Sequence, residues 1–280
     1  MTKPKLSFWQ IWNLSFGFLG VQIGYSLQNS NTSSIFESLG ADVSHLSYFW
    51  LAAPLAGMIV QPIVGLFSDG TWTRWGRRIP YILGGSLISA LALVLMPNCP
   101  KLLAFAPLAM GAFILLFMDL SFNVTMQPFR ALVADMLDDS QKTQGYVVQT
   151  FLINLGAVVG AILPLVMTRL GVSDEAAPGH VSPHIAYSYY AGGAILLLTV
   201  LVTSFKTREY PPGEFARYNN LSEEDAKPVS FVGLMRNVPG VMVRLGVTQF
   251  FSWAALFLMW TYLKPAITGV VTDHATGEVH

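Results

Sequence analysis

Charged residues are scarce in this sequence, and their scarcity excludes an ordinary water-soluble protein. Asp, Glu, Lys and Arg make up 11% of the 280 residues, whereas a typical soluble domain carries roughly 25%. Hydrophobic residues supply 53% of the chain, and the mean hydropathy is +0.51. Most of the surface must therefore face something other than water. We predict an all-α polytopic membrane protein that has the lipid bilayer as its surroundings.

Cysteine is almost absent, and so are the residue patterns of enzymes. The single Cys99 excludes an internal disulfide framework and a cysteine-based metal site. The sequence has no Ser/His/Asp or Cys/His set on matched elements, no phosphate-cradling glycine loop and no metal-ligand spacing. We therefore expect no enzyme, no catalytic residue, no metal, no bound cofactor and no nucleic-acid partner.

Long apolar runs are abundant, and each is a candidate membrane-spanning helix. Such a helix needs about 20 mostly apolar residues. Seven runs qualify: residues 8–28, 46–67, 79–97, 103–128, 146–168, 185–205 and 240–263. The first run is not followed by the small-residue cleavage site of a signal peptide. We therefore interpret it as a retained first helix.

A short cationic segment between the second and third runs, residues 65–80, is called the hinge below. It contains Arg74, Arg77 and Arg78 within five residues, and Lys and Arg stay on the cytoplasmic side of a membrane. With a cytoplasmic N-terminus, twelve Lys and Arg residues lie inside and three outside, while Arg130 lies in or near the membrane. We predict this orientation.

Two acidic residues are expected to interact with the hinge. Asp69 is predicted just past the end of the second helix, where it can pair with the hinge arginines or cap the third helix. Asp135 follows the fourth run and is predicted to form a salt bridge with the hinge or to cap a helix.

Two of the predicted helices have a polar face opposite a face of small residues, at about 100° per residue. The first has Gln22, Tyr25, Ser26 and Asn29 opposite Gly17, Gly20 and Gly24; the fifth has Tyr146, Thr150 and Asn154 opposite Gly156 and Gly160. Glycines allow another helix to approach closely. The polar faces are open to two interpretations, which are hydrogen bonds between helices or the wall of a polar cavity.

Asp119 lies deep inside the fourth apolar run. An ionised carboxylate is costly at this depth, so an intramembrane acid is a functional candidate. Asn123, Met126 and Arg130 share its helical stripe, although Arg130 is roughly 16 Å away along a straight helix, too far for a direct ion pair. One interpretation is a buried network that only specifies packing. The other is a carboxyl group that binds a proton, together with a cationic anchor.

These features resemble one known family. The hinge resembles the signature loop between the second and third helices of the major facilitator superfamily. The stretches GVQIGYSLQ, MIVQPIVGLFSD, RWGRRIPYI and FRALVADM are similar to stretches of the plant sucrose/proton symporters and their bacterial and animal relatives. The resemblance covers roughly residues 17–165.

The resemblance implies a twelve-helix fold in two six-helix halves, with a central cavity and alternating access. The present chain would then hold the N-terminal six-helix half (residues 1–205), the central cytoplasmic loop (206–238), and the first helix of the second half with a truncated external loop (239–280). It would be a C-terminally truncated fragment whose second half lies in the full-length protein. The implied location is a bacterial inner membrane or a plasma membrane.

The resemblance also implies the function, which is proton-coupled symport of a sucrose- or maltose-like disaccharide or a glucoside. The sucrose symporters have an aspartate and an arginine at this spacing, associated with proton coupling and sugar binding, so Asp119 is expected to carry the proton. The residues expected to bind sugar are Arg130, Asn123, Gln22, Asn29 and Asn154. Those expected to form a conformational gate are Gly65, Asp69, Arg74, Gly76, Arg77, Arg78 and Asp135.

Two other functions are compatible with the sequence. One is a sodium-coupled or uncoupled sugar carrier of the same fold. The other is a membrane sensor or scaffold that keeps the fold but transports nothing. Apart from the co-transported proton, or sodium in its place, no cofactor is expected.

Overall fold

The described part of the chain is built from helices. The computed structural model describes residues 3–40, 46–177, 179–219, 238–256 and 259, without the side chains of residues 46–56 and 59. Within these residues every regular element is helical. The chain divides into two compact units, Met1–Lys227 and Pro228–His280.

The first unit contains six long helices and two short ones among its described residues. They are α1 (Phe8–Ser38), α2 (Leu46–Gly70), α3 (Ile79–Leu95), α4 (Cys99–Leu102), α5 (Pro107–Met136), α6 (Asp139–Arg169), α7 (Pro183–Lys206) and α8 (Pro212–Tyr218). A 3-10 turn, Met96–Asn98, joins α3 to α4. In the second unit residues 240–256 are helical. They fall within the predicted seventh run, whose end lies outside the described residues.

Two helices extend further than their apolar runs predict. The first was predicted to end at residue 28, but α1 continues to Ser38, because Ile35 and Phe36 are buried in the core. Along this extension the side chains of Asn31 and Thr32 donate hydrogen bonds to carbonyls one turn back. Similarly, α2 continues to Gly70. The prediction that Asp69 lies beyond the helix end was therefore wrong, since it lies in the last turn of α2.

Four stretches of the described chain are long and apolar enough to cross a membrane. They are Ile79–Leu102, Pro107–Met136, Asp139–Arg169 and Pro183–Lys206, with hydropathies between 1.7 and 2.1. The lipid bilayer can therefore accommodate α3 and α5 to α7 on length and composition alone.

The glycines of α1 allow α7 to pack closely against it. A Cβ added to Gly20 would lie 2.7 Å from the Cα of Leu196, and one added to Gly17 would lie 3.1 Å from the Cα of Val200. The backbone N–H of Gly17 also donates a 2.7 Å hydrogen bond to Thr203 Oγ1 on α7. The close approach predicted from the glycine face is therefore observed.

The glycines of α6 face α1 in the same way. A Cβ added to Gly156 or Gly160 would lie 2.5 Å from the carbonyl oxygen of Leu19 or Ile23, respectively. Ser26 on α1 donates a 2.8 Å hydrogen bond to the carbonyl of Ala157 on α6. Helix α1, which also contacts α5, is thus a central element around which α5, α6 and α7 are arranged.

Candidate functional site

A buried amide–carboxyl pair joins α1 to α5. Asp119 lies near the middle of α5 and is only 2% exposed, and Gln28 on α1 is fully buried. The Nε2 group of Gln28 donates a hydrogen bond to Asp119 Oδ1. The second carboxyl oxygen of Asp119, Oδ2, and the amide oxygen of Gln28, Oε1, are buried without a hydrogen-bond partner among the described residues. The carboxyl group thus faces the helix bundle and not the lipid.

Asn123 extends this polar contact from α5 to α2. Its Nδ2 group donates a 2.8 Å hydrogen bond to the backbone carbonyl of Asp119. Its Oδ1 atom accepts a 2.6 Å hydrogen bond from Gln61 Nε2. Gly57, one turn before Gln61, provides the space, because a Cβ there would lie 3.2 Å from Asn123 Oδ1.

The remaining predicted sugar-binding residues are more accessible than Asp119. Arg130, Asn29 and Asn154 are exposed, and Gln22 is half-buried. Asn154 donates to the carbonyl of Thr150 in its own helix at 2.8 Å. No hydrogen bond joins these four residues to one another within the described chain.

Tyr25 connects this surface to α5. Its hydroxyl interacts with the side chain of Asn29. Its ring packs edge-on against Phe122 at 5.7 Å between centroids. Tyr25 thus connects Asn29 to α5, whereas Gln22 lies beside the contact between α1 and α6. Asn154 is exposed on the opposite face of α6 from the glycines that contact α1.

The hinge forms an ionic cluster with the ends of α2 and α5. Arg78 Nη2 lies 2.5 Å from Asp69 Oδ1, and Arg78 Nε lies 2.9 Å from Asp135 Oδ2. Arg77 Nη2 lies 2.5 Å from the same oxygen of Asp135. Arg77 and Arg78 are both buried. The predicted pairing of Asp69 and Asp135 with the hinge arginines is confirmed.

Glu209, which follows α7, binds the hinge from another side. Its carboxylate accepts hydrogen bonds of 2.8–3.1 Å from the backbone N–H groups of Arg77, Arg78 and Ile79. These donors surround the start of α3, where an acceptor and a negative charge are both favourable. Burial raises the pKa of Glu209 above its ordinary value, and the three backbone hydrogen bonds oppose the rise. We call Asp69, Arg77, Arg78, Asp135 and Glu209 the hinge cluster.

Three predicted gate residues differ from the others in their surroundings. Gly76 has a φ of +112°, and a Cβ there would collide with the carboxylate of Glu209. It is therefore needed both for its backbone conformation and for the close approach of Glu209. Arg74 is exposed and lies over the ring of Trp75 at 5.6 Å. Nothing lies within 4 Å of a Cβ added to Gly65.

Sequence reasoning missed three residues of these networks. Gln28 was assigned to the end of a helix that in fact continues for several turns. Gln61 lies within the second apolar run and was assigned no role, although its amide character could have suggested a polar partner. Glu209 was included in the polar linker, and only the positive end of α3 could have indicated an acidic partner.

Comparison with known proteins identifies relatives among transport proteins. Residues 35–265 match the family described as MFS/sugar transport protein. The chain is 31% identical to sucrose transport protein SUC3 of Arabidopsis thaliana over 50% of this chain and 26% of that protein. It is 37% identical to sucrose transport protein SUT1 of Oryza sativa over 42% of this chain and 25% of that protein.

A longer alignment includes nearly the whole chain. The chain is 24% identical to the general alpha-glucoside permease of Schizosaccharomyces pombe over 94% of this chain and 48% of that protein. The chain thus spans about half the length of the curated relatives that it matches over most of its residues.

Proposed function

Since the chain belongs to the MFS/sugar transport protein family and is an integral, multi-pass membrane protein, we propose that it is part of a secondary active transporter. The transporter moves a sugar together with a proton by alternating access. Its relatives are, by name, sucrose transport proteins and an alpha-glucoside permease. These names favour a disaccharide or another glucoside as the substrate, and a transporter over an enzyme.

The proposed sugar site is the polar surface that includes Arg130, Asn29 and Asn123, extended by Gln22 and Asn154. Sugar hydroxyls both donate and accept hydrogen bonds, and amide side chains match both roles. The guanidinium of Arg130 never deprotonates, so it offers fixed donors throughout the cycle. Arg130, Asn29 and Asn154 are exposed in the first unit, which supports a second six-helix half facing them across a cavity in the full-length protein.

The unpartnered oxygens of the Asp119–Gln28 pair carry the proposal of proton coupling. Gln28 already donates to Asp119 Oδ1, while Asp119 Oδ2 and Gln28 Oε1 lack partners. A carboxylate has no hydrogen to donate, but a carboxylic acid has one. A single proton on Oδ2, donated to Oε1, would satisfy both buried atoms. The pair is therefore suited to bind one proton inside the bundle and to release it when the surroundings open.

The hinge cluster is the proposed conformational gate. Partly buried ion pairs join the hinge arginines to α2 and α5, and backbone hydrogen bonds to Glu209 join the start of α3 to the segment after α7. Breaking such pairs costs free energy, because a buried charge loses its partner. The arrangement in which the pairs are formed and the one in which they are broken would therefore be two separate states of the helix ends. The positive charges of the hinge favour a cytoplasmic position for it, with the N-terminus on the same side.

The proposal can be tested by uptake of labelled sucrose or maltose into proteoliposomes that contain the full-length protein. We expect an inward proton gradient to drive accumulation in the wild type. Asp119→Asn should reduce the sugar to its equilibrium level while counterflow exchange continues. Asp174→Asn, which changes an exposed carboxylate in the loop after α6, is the matched control and should accumulate sugar like the wild type.

Other outcomes would identify a different function. Wild-type accumulation by Asp119→Asn would disprove the role of Asp119 as the proton site. Uptake that persists with a protonophore but stops when sodium is replaced would indicate sodium coupling, and uptake insensitive to both would indicate an uncoupled carrier. No solute flux in any arm would indicate a sensor or scaffold.

A further inference from the structure

A groove between α3 and α7 lies outside the proposed sugar site. Its cavity volume is about 1240 Å³, and it begins at the hinge and runs along the outer side of the two helices. Leu83 and Leu87 line it on α3, and Leu197 and Leu201 line it on α7. Leu87 is 62% exposed, as expected for a side chain that faces lipid. The groove is therefore an apolar channel on the flank of the first unit.

The mouth of the groove holds two guanidinium groups that are unpaired among the described residues. Arg74 and Arg208 line it, both are exposed, and neither has an ion-pair partner within the described chain. Arg77 and Arg78, by contrast, are paired with Asp69 and Asp135. The oxygens of Glu209 are occupied by backbone donors, which leaves the exposed Glu214 as the remaining carboxylate at the mouth. Arg74 and Arg208 thus share the mouth with the exposed carboxylate of Glu214, while the charge of Glu209 is directed at the start of α3.

Two buried hydroxyl groups in the groove lack partners. Ser86 on α3 is 1% exposed, and both its Oγ and that of Ser204 on α7 have no hydrogen-bond partner among the described residues. Serine and threonine in a helix commonly donate to the carbonyl four residues back, as Thr199 does to Ile195. An acceptor that is not part of the described chain would satisfy these hydroxyls.

Two tryptophans at the mouth of the groove indicate where it lies relative to the lipid headgroups. Trp72 and Trp75 line it and are 37% and 53% exposed. Tryptophan is enriched at the level of lipid headgroups. Ser204 lies two residues before the end of α7, about 3 Å below that end. Ser204 and the two tryptophans thus lie at the hinge end of the groove.

We propose that the groove binds one glycerophospholipid with an anionic headgroup, from the leaflet that the hinge faces. Arg74 and Arg208 hold the phosphate, Ser204 donates to an ester oxygen, and the acyl chains lie along the leucines of α3 and α7. Basic pockets between membrane helices bind anionic headgroups in this way. This site depends on the membrane setting of the chain and not on sugar transport.

The site is tested by native mass spectrometry of the full chain, purified in detergent and titrated with phosphatidylglycerol or phosphatidylcholine. We expect the wild type to retain one phosphatidylglycerol at least about five-fold more than phosphatidylcholine, the range expected for one or two charge contacts. The double variant R74Q/R208Q should lose this preference. The matched variant K206Q/R217Q removes two cations near the same end of the unit but outside the groove and should retain it.

A steric variant separates the groove from general charge effects. Gly84 lines the groove, and nothing lies within 4 Å of a Cβ added there. Gly84→Phe should therefore fold and fill the channel, reducing lipid retention to the level of R74Q/R208Q, while Gly84→Ala retains the lipid. Equal retention of both lipids by the wild type, or unchanged retention in Gly84→Phe, would overturn the proposal.

Discussion

At the scale of single residues, the environment of Asp119 is determined by one amide. Gln28 is the side chain that donates to its carboxyl group, and both residues are buried. A buried polar group that loses its partner keeps the cost of its desolvation. The stability of the pair therefore depends on both members and not on Asp119 alone.

We predict that Gln28→Leu destabilises the protein by about 1–3 kcal/mol, because Asp119 then has no side-chain donor. Thermal unfolding of the purified protein in detergent measures the effect. The control is Gln144→Leu, which makes the same change at an exposed position of α6. Equal stability of Gln28→Leu and the control would contradict the importance of the pair.

Sequence reasoning could identify Asp119 but not its partner. A carboxyl group within FILLFMDLSF is conspicuous because lipid cannot satisfy it. Gln28 is 91 residues away in the chain, and only the packing of α1 against α5 brings the two together. The same limit applies to Asn123, whose partner Gln61 lies on α2, 62 residues away in the chain.

At the scale of helices, the small faces of α1 and α6 determine how closely their neighbours approach. Carbonyl oxygens and Cα atoms of one helix lie within 2.5–3.1 Å of where a Cβ would stand on another. Dispersion contacts and hydrogen bonds between helices, rather than exclusion of water, hold membrane helices together. Glycine positions are thus where these contacts are most easily lost.

We predict that Gly20→Val separates α1 from α7 and destabilises the protein by about 1–3 kcal/mol, the usual cost of overpacking. The Cβ would collide with Thr199 and with the backbone of Leu196. Thermal unfolding of Gly20→Val beside Gly84→Ala, whose Cβ meets nothing, measures the effect. An unfolding temperature of Gly20→Val at or above that of Gly84→Ala would contradict the close packing.

Helix faces were predictable from periodicity, whereas helix ends were not. The glycine face of α1 follows from about 100° per residue, and the structure confirms it. The ends of α1 and α2 depend on tertiary packing and on local side-chain hydrogen bonds, such as those of Asn31 and Thr32. Hydropathy carries no information about either, so Ser38 and Gly70 could not be predicted as the last residues.

At the scale of the whole first unit, the hinge cluster joins segments from across the chain. Asp69 comes from the last turn of α2, Arg77 and Arg78 from the two positions before α3, Asp135 from α5, and Glu209 from the segment after α7. The two guanidinium groups and the start of α3 balance the three carboxylates. The sequence pattern predicted that the hinge arginines, Asp69 and Asp135 interact. It did not predict that Glu209 joins them, because Glu209 is about 130 residues from its partners in the chain.

We predict that Glu209→Ala destabilises the protein by about 1–2 kcal/mol, the range for losing a helix cap, and that Glu209→Gln costs less. Thermal unfolding at several pH values distinguishes them. Since burial raises the pKa of Glu209, the folded state binds this proton at a higher pH than the unfolded chain does. The stability that protonation of Glu209 contributes is complete at low pH, and it is lost as the pH rises through the pKa of Glu209 in the folded protein.

The wild type should therefore lose stability relative to Glu209→Gln as the pH rises from the ordinary range of a glutamate through the raised pKa of Glu209 in the folded protein. A difference that does not depend on pH, or one that changes in the opposite direction, would show that the carboxylate is not buried as described. Glu214→Gln is the control, because Glu214 is exposed in the first turn of α8.

The contacts of Phe215 have a mechanical consequence. The guanidinium of Arg77 lies 4.1 Å from the centre of the Phe215 ring, and Trp72 packs edge-on against the same ring. Phe215 and Glu209 belong to the last described stretch through which the polypeptide leaves the first unit. A pulling force on that exit is therefore transmitted to the guanidinium of Arg77 and to the first turn of α3 before it reaches the helix bundle.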